Sequence, residues 1–343
     1  MKRLLGCRSA LIVLFAGLCL LPLGANPYLL FIGNLVLIYI ILALGLNLLI
    51  GFAGHLAFAN AAMFGIGAYG AGLIRVDLGL PFWIALPGGA LLAMVIGTTM
   101  ALPALRLSGI YLAMATLGFA QFTQWVFLNW ESVTYGAGGF RIPSVDFSPL
   151  PVRPEYGVFY LSWIVTLGLV LFAWNAMRSR IGRAFVAMRD GEIAAESLGV
   201  NLLRYKAMAF ALSGVYAGIA GALYSATLNY VAPEGFDLFQ MVIQKAMVMV
   251  GGIGSIVGSV IGASLLVILL EALRAFKSTQ EVAFGVILLA VVVFLPGGLV
   301  SLCRRHLPGW EEPLHHPGSG EPMTTASIRS SASPSPDIGK TDR

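Results

Sequence analysis

Charged side chains are scarce in this sequence. Asp, Glu, Lys and Arg make up 11% of the 343 residues, whereas about 25% is usual in a globular protein. Hydrophobic residues make up 58%, and a soluble fold has too little polar surface to cover so large an apolar fraction. The composition therefore excludes a soluble globular protein and predicts an integral membrane protein.

Residues typical of metal sites and catalysis are also few. Cys7, Cys19 and Cys303 form no CxxC motif or Cys/His cluster, so neither a disulfide framework nor a zinc site is predicted. The sequence contains no HExxH motif, and its apolar runs contain no paired carboxylates. These absences argue against an intramembrane enzyme and against a bound metal or other cofactor. The cations are scattered between apolar runs, which argues against a nucleic-acid partner.

Apolar runs long enough to cross a membrane recur along the chain. A spanning helix needs about 20 mostly apolar residues, and helices satisfy their own backbone hydrogen bonds in lipid. The predicted spans are 9–25, 28–50, 54–74, 82–105, 109–129, 157–176, 207–230 and 281–300. The first run could instead be a cleaved signal peptide, because it is short and follows basic residues.

The region 240–272 is harder to interpret. Two apolar arms, 240–250 and 256–270, flank a glycine-rich break at 251–255, and each arm is short for a full crossing. A re-entrant pair and two short spans both fit. Irregular backbone at membrane depth is tolerated where protein or a water-filled cavity satisfies it, so this segment is expected to border a translocation path. The predicted fold class is an all-α, polytopic bundle of about 8–10 transmembrane helices.

The distribution of Lys and Arg predicts the orientation. Short basic loops stay on the cytoplasmic side, and Lys2, Arg3 and Arg8 place the N-terminus there. Counting spans then places the most basic connection, 178–205, in the cytoplasm and the loop 130–156 outside.

The C-terminal segment differs in composition from the rest of the chain. Residues 306–343 are rich in Pro, Ser and Gly, and such a segment buries too little apolar surface to offset the entropy of ordering. A disordered cytoplasmic tail is predicted there, which leaves 1–305 as the transmembrane domain.

The connection 178–205 has the pattern of two short helices. Apolar residues recur on one face of the first helix, and a break at Asp190-Gly191 precedes a second helix that ends at Gly199. A partner protein could dock on this hairpin. Alternatively, the hairpin could be a connection whose basic residues lie against anionic membrane lipid.

Six segments of the chain share a pattern with one transporter family. They are 51–69 (GFAGHLAFANAAMFGIGAY), 107–119 (LSGIYLAMATLGF), 178–185 (RSRIGRAF), 192–199 (EIAAESLG), 204–210 (RYKAMAF) and 218–224 (GIAGALY). In this order they resemble the M-type permease subunits of branched-chain amino acid (leucine, isoleucine and valine) ABC importers. Segment 192–199 also resembles the EAA-xxx-G coupling loop of ABC importer permeases, although Ile193 stands where that consensus has Glu.

This resemblance implies an ABC importer permease fold in a bacterial inner membrane, with both termini cytoplasmic. It also implies partners: a second homologous permease subunit, two cytoplasmic ATP-binding subunits and a periplasmic substrate-binding protein. The chain itself would be a transport subunit, because the partners hydrolyse ATP. Branched-chain amino acids are the expected substrates. The alternatives are a urea or short-amide permease and, less favoured, an ion-coupled secondary transporter, for which no span supplies an ionisable relay.

The resemblance places ATPase coupling on the predicted hairpin. Its small residues would permit close approach, and its charged residues would set the register and the salt dependence of association. The coupling candidates are Arg180, Arg183, Arg189, Asp190, Glu192, Ala194, Ala195 and Gly199.

Two further groups of residues are candidates for binding. Polar residues in spans are costly and usually face protein or a cavity; the pathway candidates are His55, Asn60, Gln121, Gln124, Gln240, Gln244 and Lys245. The outer loops could contact the binding protein or line the outer gate; the candidates there are Trp130, Tyr135, Arg141, Glu234 and Asp237. Small residues that recur every four positions in 54–74 favour close helix packing over substrate contact.

Overall fold

The apolar runs form helices, because only a helix or a closed barrel satisfies its backbone within lipid. The computed structural model describes residues 26–104, 107, 109–147, 153–274, 280–294 and 298–299. The predicted first span, 9–25, and the predicted tail, 306–343, lie outside these residues, as do the three cysteines.

The helices follow the order of the predicted spans. A four-residue helix, Glu131–Thr134, is left unnumbered. Of the longer helices, the first five are α1 (Pro27–Asn47, continued by a π-helical turn, Leu48–Phe52), α2 (Asn60–Val76), α3 (Phe82–Ala104), α4 (Ile110–Asn129) and α5 (Pro154–Arg178). The next three are α6 (Arg180–Asp190), α7 (Glu192–Ser197) and α8 (Leu202–Leu228). The last three are α9 (Leu238–Gly251), α10 (Ile256–Leu273) and α11 (Gln280–Phe294).

Several of these helices meet the requirements of a membrane span. Within the described residues, five helices are long and apolar enough to cross: Pro27–Phe52, Phe82–Met100, Pro154–Arg178, Leu202–Leu228 and Ile256–Leu273. The prediction of an all-α polytopic membrane protein is confirmed. The run 54–74 is helical only from Asn60, since Gly54 has a positive φ of 75° that interrupts the helix before it.

The region 240–272 forms two antiparallel helices, α9 and α10, joined by a bend at 252–255. Glycines let the two backbones touch: a Cβ on Gly258 would lie 2.7 Å from the carbonyl oxygen of Gly251, and one on Gly262 would lie 2.7 Å from the Cα of Gly251. The predicted glycine-rich break is therefore the bend between two closely packed helices.

Helix α8 packs against α1, α2 and α3 and forms the centre of the bundle. A Cβ on Gly67 of α2 would lie 2.5 Å from the Cα of Gly218 in α8, so no side chain separates these backbones. Other small residues of α2 also pack: Gly65 faces Phe127, and Gly72 faces Phe140. The small-residue pattern thus serves helix packing, as predicted.

The long central helix defines two ends of the bundle. Its 27 residues extend about 40 Å, with the short helices α6 and α7 before its start. At its other end, two short antiparallel strands pair, β1 (Phe140–Arg141) with β2 (Tyr230–Val231), and Phe140 lies opposite Val231. We call these the hairpin end and the sheet end.

Candidate functional site

The α6–α7 hairpin is held to the bundle by the inner face of α6. The Ser179 hydroxyl caps this helix by accepting a hydrogen bond from the backbone N–H of Ile181 at 3.1 Å. Phe185 and Met188 are buried, at 0% and 2% exposure. Burial of these side chains stabilises the packing of α6 against the bundle by several kcal/mol, on the order of 2 kcal/mol for each large side chain.

Helix α7 presents apolar side chains outward. Ile193 is 87% exposed and Leu198 is 82% exposed. The helix ends at Ser197, Leu198 is its C-cap, and the next residue, Gly199, has a φ of 84° in the left-handed region. A Cβ on Gly199 would meet no atom of this chain within 4 Å, so glycine is required here by the backbone conformation and not by packing within the chain.

The predicted coupling residues divide into two sets. The exposed set contains Arg180, Arg183, Asp190, Ala194 and Gly199. The other set, Arg189, Glu192 and Ala195, contacts the chain's own membrane helices or is buried against them. Helical periodicity in the sequence could not separate these sets, because charged residues occur in both.

Glu192 holds α7 against α8. Its Oε2 accepts a hydrogen bond from Nζ of Lys206 at 2.8 Å, and Lys206 is 4% exposed. A buried ammonium needs such a partner, because leaving it unpaired would cost the full desolvation of the charge. Ala195 in the same helix is also buried, at 1% exposure. These residues therefore position the hairpin, and the exposed residues remain available to a partner.

Arg189 holds α6 against the end of α1. Its Nη1 donates to the carbonyl oxygen of Gly51 at 2.7 Å. The arginine stem lies on Gly54, where a Cβ would come within 2.7 Å of its Cγ. The side chain also contacts Asp190 at 3.5 Å on the exposed side.

The structure brings two of the pathway candidates into direct contact inside the bundle. Nδ2 of Asn60 donates to Oε1 of Gln244 at 3.0 Å, and the Ser213 hydroxyl donates to Oδ1 of Asn60 at 3.2 Å. Asn60 is 5% exposed and Gln244 is 1% exposed. This inner polar cluster, Asn60, Ser213 and Gln244, joins α2, α8 and α9.

Three more candidates lie around the helices of this cluster. Gln240, one turn before Gln244 in α9, donates to the Tyr39 hydroxyl at 2.5 Å. Lys245 places its ammonium over the ring of Phe58, and its Nζ is buried without a hydrogen-bond partner among the described residues. The His55 ring stacks on Phe210.

The two glutamines of α4 lie apart from these hydrogen bonds. Gln121 is exposed and Gln124 is half-buried, and neither joins the inner polar cluster. Among the described residues, no group of three His, Cys, Asp or Glu side chains is placed to hold a metal ion.

The candidates at the sheet end have different surroundings. Trp130 and Glu234 are exposed, and Arg141 is the exposed member of β1. Asp237 caps α9 by accepting the backbone N–H of Gln240 at 2.9 Å. The Tyr135 hydroxyl donates to Asp77 at 2.7 Å, and this hydrogen bond, followed by desolvation, raises the pKa of Tyr135.

Sequence reasoning missed a second buried polar cluster, at the hairpin end. Asn47, fully buried in α1, accepts the backbone N–H of Gly254 at 2.9 Å and donates to Ser255 O at 2.8 Å and to Ser259 Oγ at 2.7 Å. The signal was an amide inside the apolar run 28–50, which contains Asn34 and Asn47, since a buried amide in a span needs partners.

Comparison with known proteins identifies the family. A family model described as the branched-chain amino acid transport system permease component matches residues 28–296. The chain belongs to this permease family. It is therefore a transport subunit and not an enzyme, as predicted.

The permease also resembles individual relatives. It is 34% identical over 300 residues to the high-affinity branched-chain amino acid transport system permease protein LivM of Escherichia coli, covering 80% of this chain and 71% of that protein. It is 27% identical over 291 residues to LivH of the same transport system and organism, covering 77% and 91%. It is 29% identical over 213 residues to the autoinducer 2 import system permease protein LsrC of Klebsiella pneumoniae, covering 60% of each chain. No solved structure matches the permease.

Proposed function

We propose that the permease is the membrane subunit of an ATP-driven importer that moves branched-chain amino acids delivered by a periplasmic binding protein. Family membership and the 34% identity to LivM support this substrate class. Neither alternative, a urea or short-amide permease or an ion-coupled transporter, is favoured by these relatives. The partners are a second homologous permease subunit, two ATP-binding subunits and the binding protein.

The observation that carries the coupling proposal is the outward apolar pair on α7. Ile193 in α7 and Leu198, its C-cap, are more than 80% exposed. The Glu192–Lys206 ion pair fixes this helix to the bundle. Exposed apolar side chains on a rigid element are typical of a docking surface. ATP-driven closure of the partner subunits would then move the hairpin as a rigid body.

The orientation of the permease in the membrane follows from its basic residues and from the proposed coupling role of the hairpin. The hairpin end, with Arg178, Arg180, Arg183 and Arg204, is the cytoplasmic end by the positive-inside rule, and both termini are cytoplasmic in a bacterial inner membrane. The sheet end then faces the binding protein, with Trp130, Tyr135, Arg141, Glu234 and Asp237 as contact residues. The inner polar cluster and Lys245 lie along the proposed pathway between them.

Charge substitution on α7 tests the coupling surface. Ile193→Asp and Leu198→Asp should release the ATP-binding subunits, because each buries an unpaired charge in an apolar interface. The measurement is the amount of ATP-binding subunit that copurifies with the tagged permease. Val133→Asp, which changes an exposed apolar residue at the sheet end, is the matched control and should keep these subunits. Full retention by both hairpin variants would contradict the proposal.

Cysteine labelling tests the orientation independently. In a cysteine-free permease, Ser197→Cys should react with an impermeant thiol reagent only from the cytoplasmic side, and Ser144→Cys only from outside. Both serines are exposed, and neither caps a long helix as Ser179 does. Labelling of both positions from the same side would contradict the topology.

A further inference from the structure

Two irregular backbone segments meet at the hairpin end of the bundle. One is the π-helical turn Leu48–Phe52 that ends α1, and the other is the bend 252–255 between α9 and α10. They are distant in sequence but adjacent in space, since a Cβ on Gly51 would lie 2.5 Å from the backbone nitrogen of Gly254. Irregular backbone inside a membrane bundle is a common site of conformational change.

Asn47 binds the two segments into one unit. Its side-chain amide makes three hydrogen bonds of 2.7–2.9 Å, all to the bend or to the first turn of α10. Ser255 also caps α10 by accepting the backbone N–H of Gly258 at 3.0 Å. Because both donors and the acceptor of the Asn47 amide are used, a displacement of the turn must carry the bend with it.

Arg189 of the hairpin binds the π-helical turn and lies beside the bend. Its Nη1 donates to Gly51 O at 2.7 Å, and the same nitrogen lies 3.2 Å from the position that a Cβ on Gly254 would occupy. A planar guanidinium presents its donors in a fixed geometry, whereas a lysine ammonium is a point charge on a flexible stem. Among the described residues of the hairpin, Arg189 is the one for which a hydrogen bond to the π-helical turn is found.

We propose that Arg189 is a positioning residue for transport, which transmits movement of the hairpin to the π-helical turn and the bend. This inference rests on the proposed coupling role of the hairpin. The bend directly follows α9, and α9 carries Gln240, Gln244 and Lys245. Movement of the hairpin thus reaches the inner polar cluster through Arg189, the Asn47 unit and α9.

The test compares transport with ATP hydrolysis in the complete importer reconstituted into liposomes. Arg189→Gln should keep its ATP-binding subunits and its ATP hydrolysis rate within about twofold, because the exposed surface of α7 is unchanged. Its leucine uptake per ATP hydrolysed should fall about tenfold. Arg189→Lys, which retains one donor, should lie between Arg189→Gln and the unmodified protein. Arg204→Gln, an exposed arginine of the same connection, is the control and should keep the normal ratio.

The ratio of leucine uptake to ATP hydrolysis separates a role of Arg189 in coupling from a purely structural role. A residue that only stabilised the fold would lower uptake and hydrolysis together by lowering the amount of complex. A normal ratio in Arg189→Gln would overturn the proposal, and if that variant fails to fold, a normal ratio in Arg189→Lys would do the same. Release of ATP-binding subunits by Ile193→Asp tests the hairpin surface separately, so a failure of the Arg189 proposal would leave the proposed function standing.

Discussion

Two buried polar clusters of this permease differ in how completely their hydrogen bonds are made. In the Asn47 unit, the amide uses its oxygen and both of its N–H groups. In and beside the inner polar cluster, Nε2 of Gln244 and Nζ of Lys245 are buried without hydrogen-bond partners among the described residues. Both clusters lie within an apolar bundle, where an unpaired polar group is expensive.

We propose that this difference reflects two roles. A saturated network stabilises one arrangement and makes its members move together. A network with unused hydrogen-bond donors can bind a transported solute through them. Unpaired buried groups of this kind are typical of functional positions. We therefore expect changes in the Asn47 unit to act first on stability, and changes around Gln244 and Lys245 to act first on transport.

The largest loss of stability is expected for Gly51→Ala. The added Cβ would overlap Oδ1 of Asn47 and lie 2.5 Å from the backbone nitrogen of Gly254, neither of which can move without breaking the unit. We expect the free energy of unfolding to fall by about 3 kcal/mol. Unfolding of the purified permease in mixed micelles measures this change.

The matched glycine variant is Gly118→Ala in α4. A Cβ there would meet nothing within 4 Å, so the substitution should leave the free energy of unfolding unchanged or raise it by about 1 kcal/mol. Equal stability of Gly51→Ala and Gly118→Ala would show that the turn and the bend are not packed against each other.

A smaller loss is expected for Asn47→Ala. Each hydrogen bond between membrane helices contributes about 0.6 kcal/mol on average, and three are lost here, so the free energy of unfolding should fall by about 2 kcal/mol. Asn34→Ala is the control in the same helix, because the Asn34 side-chain oxygen is buried without a hydrogen bond. If the two alanine variants unfold alike, the Asn47 bonds contribute nothing measurable.

Helix positions and breaks could be predicted from the sequence, because they depend on local properties. Apolar runs located the helices, and glycine located the break at 251–255 and the one between α6 and α7. The contacts that define the sites are long-range: 208 residues separate Asn47 from Ser255, and 138 separate Arg189 from Gly51. A single sequence carries no information on such pairs, so it could not distinguish the inward Arg189 from the exposed Arg183.

The proposed pathway role of Lys245, beside the inner polar cluster, is tested by Lys245→Met. Removing a buried cation that has no hydrogen-bond partner among the described residues should leave the free energy of unfolding unchanged or raise it by about 1 kcal/mol. Leucine uptake by the reconstituted importer should nevertheless fall at least tenfold if the ammonium serves the solute. Lys206→Met is the matched variant, and it should lower stability by about 1 kcal/mol because it leaves Glu192 unpaired. Normal uptake by Lys245→Met would remove this residue from the pathway.

The smallest effect is expected for a polar contact that water can replace. The Tyr135 hydroxyl donates to Asp77 at the sheet end, where both residues are exposed, and exposed hydrogen bonds contribute little net stability. Tyr135→Phe keeps the ring contact with Phe140, whose centroid lies 5.0 Å away, so uptake and the unfolding midpoint should stay within experimental error.

The remaining signature of this contact is its pH dependence. The hydrogen bond to Asp77 raises the pKa of Tyr135 above its ordinary value, so the neutral phenol is favoured in the folded state. The contribution of this contact is fully present below the unfolded pKa of about 10 and is lost as the pH rises through the higher folded value. A spectroscopic titration of tyrosinate should therefore lose one late-titrating tyrosine in Tyr135→Phe. An unchanged titration would mean that the Tyr135–Asp77 contact does not form in the membrane. A large fall in the stability of Tyr135→Phe would mean that this exposed contact contributes as much as the buried clusters do.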